Sequence, residues 1–170
     1  MVRSMHIRRL NDSDAETIAA AFVAQGWNRS AEQYRRYAVE QSEGRRITLL
    51  AEVDGVFAGY LNVVWESDYA GFRDAGIPEI ADFNVLERFQ RRGIGSALMD
   101  AAEALIVERS PVAGIGVGMT ADYGKAQILY VRRGYVPDGR GLDSHGKPVA
   151  YGMSVPVDDD LVLYLTRQLR

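Results

Sequence analysis

The chain contains no cysteine. That removes disulfides, thiolate metal ligands and any covalent thioester on the protein itself. Histidine is nearly as scarce. His6 and His145 stand far apart without the spacing of metal ligands, so no zinc site and no metal requirement are expected. No run reaches the roughly 18 apolar residues of a membrane span, and the opening MVRSMHIRRL is basic but lacks the apolar stretch of a signal peptide. The expectation is a cytoplasmic protein with no membrane partner. Charge of neither sign dominates: 20 basic against 23 acidic residues leave a formal −3, which offers no strong electrostatic hold on nucleic acid. Heptads, internal repeats and low-complexity tracts are absent as well.

What is present is an ordinary globular composition. With 170 residues, 47% hydrophobic and 25% charged, the chain can bury one sizeable core, and it reads as a single domain over 1–170. Residues 6–10 suggest a short edge strand. Ser13 and Glu16 match the capping box ahead of an alanine-rich helix over 15–24, and Ser30 with Gln33 starts a second helix that runs to about 42. Residues 47–53 and 56–64 are β-formers joined by Asp54-Gly55, the strongest short hairpin signal. Residues 65–76 read as a polar loop and 79–86 as a strand. A helix over 93–110 follows, then a strand over 112–119 interrupted by glycines at 114, 116 and 118. A short helix over 123–133 ends at Gly134, 139–148 reads as loop, and 161–165 as a last strand. This order predicts a mixed α/β (α+β) sandwich, not a regular doubly wound nucleotide fold.

The stretch QRRGIGSALMDAAEAL begins a helix with two glycines and a cluster of positive charge, neither of which favours a helix. A helix start carries unpartnered N–H groups and about half a positive charge, so an anion there satisfies both. Gly93 and Gly95 remove side chains that would block its approach. Arg91 and Arg92 add forked donors, Gln90 an uncharged amide, and Ser96 a hydroxyl. Ala97, Leu98, Ala101, Ala102, Leu105 and Ile106 form the apolar stripe. No Walker loop is present, because the Gly-Lys-Ser/Thr ending is missing, and the third Rossmann glycine would fall on Leu98. The anion is therefore a phosphate group of some other cofactor.

Gln90, Arg91, Arg92, Gly93, Ile94 and Gly95 resemble the acyl-CoA signature of the GNAT N-acetyltransferase superfamily, Q/R-x-x-G-x-G/A, which grips the CoA pyrophosphate. GKAQILYVRRGYVPDG at 124–139 is similar to a later motif of that family, through Ala126, Leu129-Tyr130 and Gly134-Tyr135. The resemblance implies a GNAT-type fold: a central, mixed and splayed β-sheet of six to seven strands flanked by about four helices. It also implies acetyl-CoA as co-substrate, bound where two parallel strands diverge near Val85 and Met119. The backbone of Phe83, Asn84 and Val85 would run beside the pantetheine, and Tyr130 would be the acid that protonates the departing thiolate. At the family's usual asparagine stands Tyr123, a departure that alters any cofactor contact there.

An amine must lose its proton before it attacks. Glu79 matches the catalytic glutamate of the histone-acetylating branch, and Asp82 the acidic residue that many other members keep on the same strand. Strand parity puts 79 and 82 on opposite faces unless a bulge intervenes. Each also has a plain structural reading: Glu79 as a solvated strand start after Pro78, Asp82 as a carboxylate that holds a loop amide. The same resemblance would place Trp27, Tyr34, Tyr37, Trp65, Tyr69, Phe72 and the loop 137–148 around the acceptor, with Glu66, Asp68 and Asp74 nearby. Rings there would favour a small molecule of apolar or cationic character, an amine over a ring gaining about 0.5–2 kcal/mol of cation–π attraction, although tyrosines at helical spacing also pack cores. The expected activity is direct acetyl transfer to a small primary amine in a ternary complex. Transfer to a protein N-terminus or lysine, and a non-catalytic acyl-CoA-binding protein, are the alternatives. A homodimer is common in the family. The double variant Arg92→Ala with Gly95→Asp is expected to lose CoA affinity in isothermal titration while staying folded; undiminished binding would refute the anion site.

Overall fold

The structure is a computed structural model that describes residues 3–170. Eight strands and five α-helices build a mixed α/β fold, one strand more than the upper expectation and one helix more. The chain divides into two compact units. The first comprises the residues up to Trp65 together with Ile80–Leu105, the second Glu66–Glu79 together with Ile106–Arg170.

In the first unit β1 (Met5–Arg9), β2 (Arg46–Val53), β3 (Val56–Val64) and β4 (Glu79–Val85, from Ile80 onward) are neighbours in that order. The Asp54-Gly55 turn forms as predicted: both residues have positive φ, 51° and 78°, which matches the twist of the flanking antiparallel strands. α1 (Ala15–Ala24) and α2 (Ala31–Ser42) follow the sequence reading closely. Their apolar positions, Ile18, Phe22, Tyr34 and Tyr37, are buried with Leu50, Tyr60 and Leu61 of the strands. Phe22 and Tyr34 meet the Tyr60 ring edge-on at 5.8 and 5.4 Å.

The capping box at Ser13 does not form. Asp14 flanks the helix instead, without a side-chain cap, because its carboxylate takes two 2.8 Å bonds from Arg8 and one from the Asn11 N–H. The Ser13 hydroxyl donates to Asn11, and Glu16 pairs with Arg35. Charge-assisted bonds here outweigh a neutral hydroxyl cap. Ser30 does cap α2, accepting from the Glu32 N–H, but the Gln33 side chain turns away toward Tyr37 and Asp82.

In the second unit the strand order is β5 (Val112–Gly118), β8 (Leu161–Gln168), β6 (Val136–Ser144) and β7 (Lys147–Pro148), all antiparallel to their neighbours. The predicted loop 139–148 is thus largely strand. His145 and Gly146, both at positive φ, turn a tight hairpin between β6 and β7. The register of β6 slips between Pro137 and Leu142, where Gly139 and Gly141 lie in the left-handed region; that bulge and its polar composition hid the strand. The expected loop 65–76 contains a single helical turn, α3 (Ala70–Arg73), which buries Phe72. α5 (Gly124–Arg132) buries Tyr130, whereas α4 (Ile94–Val107), which belongs to the first unit as far as Leu105, buries Ile94, Leu98, Met99, Ala102 and Ile106.

The glycines at period two in β5 have a packing cause. A Cβ on Gly114 would lie 2.5 Å from the Phe72 ring, and one on Gly116 would lie 2.8 Å from Val162 and 2.9 Å from Tyr164. Gly114→Ala is therefore expected to cost about 1–3 kcal/mol in denaturant unfolding, since the buried Phe72 ring cannot move aside. Gly124→Ala, in helical conformation with nothing within 4 Å of the added carbon, is expected to stabilise by about 0.4–1 kcal/mol.

Candidate active site

Between β4 and α4 the chain makes a short 3-10 turn, Glu87–Phe89, anchored by the buried Phe89 ring. The guanidinium groups of Arg88 and Arg92 lie 4.8 and 5.5 Å from its centroid. The Gln90 amide donates to the Val85 carbonyl at 3.2 Å, tying the turn to the strand end. Arg91 then takes φ 60° and Gly93 φ 78°, and the helix starts at Ile94. A left-handed arginine costs on the order of 1–2 kcal/mol. Backbone of changing hand directs successive N–H groups into one concavity, an arrangement suited to anions. Arg91, Arg92, Gly93 and Ser96 are exposed, Gly95 is half-buried, and a Cβ on Gly93 would meet nothing within 4 Å. The Ile94 side chain is in the core and anchors the helix start. The donor set of helix-start amides, two arginines and open space fits a diphosphate.

Asp82 sits on β4 at φ 49°, which breaks the alternation of the strand. Gly59 on β3 allows the close approach, because a Cβ there would lie 2.6 Å from the Asn84 carbonyl oxygen. The Asp82 carboxylate is crowded with donors. Oδ2 accepts from Tyr60 at 2.5 Å, Tyr37 at 2.8 Å and Gln33 at 3.2 Å; Oδ1 accepts from Asn84 at 3.0 Å and Arg29 at 3.4 Å. Burial and then the Asp82 charge push the Tyr37 phenol up to about 12, and the same two causes raise Tyr60 further. Both tyrosines therefore keep their protons and keep donating.

Glu79 has the opposite surroundings. Its carboxylate receives one hydrogen bond, from Ser67 at 3.3 Å. Burial pushes it up to about 7, with Asp68 adding to the shift and the Ser67 bond opposing it. That value suits a group that takes a proton near neutrality.

Tyr130 is 4% exposed, and burial, then Tyr123, raises its phenol so that it holds its proton. Ala126 on the same helix is half-buried, and Gln127 donates to the Gly118 carbonyl at 2.9 Å. The Tyr123 ring seats against Gly118, while its hydroxyl donates to Asp159 at 2.7 Å. This hydrogen bond ties the side chain to the 158–160 turn. Phe83, Asn84 and Val85 are half-buried on β4.

Of the residues expected around the acceptor, Tyr34 and Phe72 are core, at 0% and 1% exposure. Tyr69 stacks on Tyr164 and donates to Asp138 at 2.6 Å. Glu66, Asp68 and Asp74 are exposed. Sequence reasoning missed Arg29, Tyr60 and Ser67. A tyrosine inside an apolar strand needs a hydroxyl partner, and for Tyr60 that partner is the half-buried Asp82 carboxylate. It also missed that His145 meets Asp158 at 2.9 Å and Asp160 at 3.5 Å, an exposed group.

The family model described as the acetyltransferase (GNAT) family matches residues 10–135. Solved structures share the fold across nearly the whole chain. Ard1 from Thermoplasma volcanium is 22% identical, with 98% of each chain covered and a TM-score of 0.70. An acetyl transferase from Salmonella typhimurium that modifies the N-terminal serine of ribosomal protein L7/L12 is 15% identical, covering 98% of this chain and 96% of its own, with a TM-score of 0.71. The yncA protein of Salmonella typhimurium, solved with its cofactor acetyl-CoA, is 18% identical over 98% and 94%, with a TM-score of 0.68. No curated protein matches the chain.

The raised Glu79 carboxyl makes a stability prediction. The folded state holds this proton more tightly than the unfolded chain, so stability is greatest below the ordinary carboxylate range and falls as pH rises through about 7. Glu79→Gln removes that penalty. Denaturant unfolding is expected to show a gain on the order of 2–3 kcal/mol at pH 8.5 and almost none at pH 4.

Proposed function

The chain belongs to the acetyltransferase (GNAT) family, and from that membership we propose a cytoplasmic N-acetyltransferase that moves an acetyl group from acetyl-CoA to a small primary amine by direct transfer. The observation that carries the reading is the turn at 91–95, with left-handed Arg91 and Gly93 ahead of a helix start and open space beside them. No helix among the described residues is long and apolar enough to cross a membrane.

Acetyl-CoA supplies the activated acyl thioester. The amides at 93–96 and the guanidinium groups of Arg91 and Arg92 hold its diphosphate, and the backbone of 83–85 aligns the pantetheine. Glu79 takes the proton from the ammonium at its carboxylate, since a carboxylate near 7 is both ionised and basic enough at neutral pH. Asp82 has a different role. Its lone pairs are engaged by five donors, so it holds Tyr37, Tyr60, Asn84 and Arg29 in place and leaves proton transfer to Glu79. Tyr130, buried and protonated, gives its Oη proton to the departing sulfur, where charge develops only during the reaction. Without cysteine, direct transfer needs no acyl-enzyme. A protein N-terminus as acceptor is the second reading, favoured by the ribosomal substrate of one structural relative.

CoA-thiol release with acetyl-CoA over parallel panels of small amines and N-terminal peptides separates the two. Tyr130→Phe is expected to cut turnover by about 10²-fold or more with acetyl-CoA affinity kept. Unchanged turnover would remove Tyr130 from the mechanism. For the wild type, kcat/KM is expected to rise with pH through about 7, and Glu79→Gln to flatten that limb.

A further inference from the structure

The sequence reading looked to bare aromatic faces that would attract a cationic amine. In the first unit two of the expected rings, Trp27 and Tyr37, already lie under the protein's own arginines. The Arg29 guanidinium lies 5.2 Å from the Phe22 centroid and 5.9 Å from Trp27, while Arg46 lies 4.2 Å from Tyr37. Arg46 is committed to Glu40 by an ion pair. Arg29 is much less committed. Its hydrogen bonds to Tyr60 and to Asp82 both leave from Nη1 at the long distance of 3.4 Å, and its third partner is the Tyr34 hydroxyl. Among the described residues Asp82 is the only carboxylate paired with it, and that carboxylate already accepts four shorter bonds from uncharged donors.

A guanidinium carries five N–H donors in a rigid fork, and its planar edge matches a carboxylate with two parallel bonds. Arg29 therefore has donor capacity beyond what its neighbours use. The group lies against a rigid pair of rings, Phe22 and Trp27, which stack on each other at 5.7 Å, while its side chain keeps 23% exposure. It also pairs with Asp82 of β4, the residue just before the 83–85 segment that is assigned above to the pantetheine. An anion held by Arg29 is thus held next to the acyl-carrying strand.

We infer that Arg29 is a specificity-determining residue that binds a carboxylate on the acceptor, so that the preferred substrates are small amino acids. The inference rests on the small-amine reading above and narrows it. It replaces the expected cationic acceptor by a zwitterionic one whose amine and carboxylate lie a few bonds apart. The nearby Asp82 charge opposes such an anion, and the hydrogen bonds it accepts from Tyr37, Tyr60, Asn84 and Gln33 reduce that repulsion.

The test compares each of a panel of α-amino acids with its own primary amide, which keeps the amine and side chain and removes the negative charge. Initial rates of CoA-thiol release are expected to favour the best acid over its amide by at least tenfold in kcat/KM, chiefly through KM. In Arg29→Gln this ratio should collapse toward one, and Arg29→Lys should restore part of it. Thermal unfolding of each variant reports whether the fold is kept. Calorimetry with the N-acetylated amino acid and CoA gives a second readout that needs no turnover; binding should weaken at least tenfold in Arg29→Gln and less in Arg29→Lys. Equal use of acid and amide by the wild type, or product binding unchanged in Arg29→Gln, overturns the inference. An enzyme that acetylates small neutral amines but rejects their acids keeps the small-amine reading and sinks this one. One that acetylates only peptides sinks both.

Discussion

The account depends on one constraint, the backbone of changing hand between Phe89 and Ile94. Buried Phe89 fixes one end of this turn and buried Ile94 the other, while Gln90 ties it to the Val85 carbonyl. Within that frame Arg91 is held left-handed, which an arginine does not adopt on its own account. Strain of this kind persists only where the surroundings over-determine it, and it concentrates at ligand sites. Here it aims amides and two flexible cations at a space that protein atoms leave open beside Gly93. Family membership, a chemically suitable donor set and a strained backbone thus point to the same few residues.

Two carboxylates three residues apart show how environment divides chemistry. Asp82 accepts five hydrogen bonds and organises parts of β3, β4, α2 and the connection between α1 and α2. Glu79 accepts one and is pushed to about 7 by burial. A carboxylate saturated with donors anchors the elements around it; a desolvated, lightly bonded one holds a proton more readily. The same division extends to the aromatic residues. Tyr34 and Phe72 went to the cores, Tyr37 and Tyr60 became donors to Asp82, and Tyr123 became a donor to Asp159.

Local signals were legible and distant ones were not. Asp54-Gly55, the helix after Gly93 and the short helix before Gly134 all appear where the residues alone put them, because turn chemistry and periodicity act over a few positions. The Ser13 capping box failed because Arg8, six residues from Asp14, offered stronger bonds. β6 was hidden by its slipped register and the glycines at 139 and 141. The glycines of β5 were visible as interruptions, but the purpose of Gly114 and Gly116 lies in the Phe72 and Tyr164 rings, more than 40 residues away along the chain. For the candidate site, the anion turn was readable as a motif. The contrast between Glu79 and Asp82 was not, since it arises from partners at Ser67, Tyr37 and Tyr60.

The most direct measurement of the central claim is a nuclear magnetic resonance titration that follows the backbone amides of 93–96. CoA and inorganic pyrophosphate should each shift these resonances, whereas pantetheine, which lacks the diphosphate, should leave them in place. If CoA binds and these four amides do not move, the diphosphate is held elsewhere and the account is contradicted.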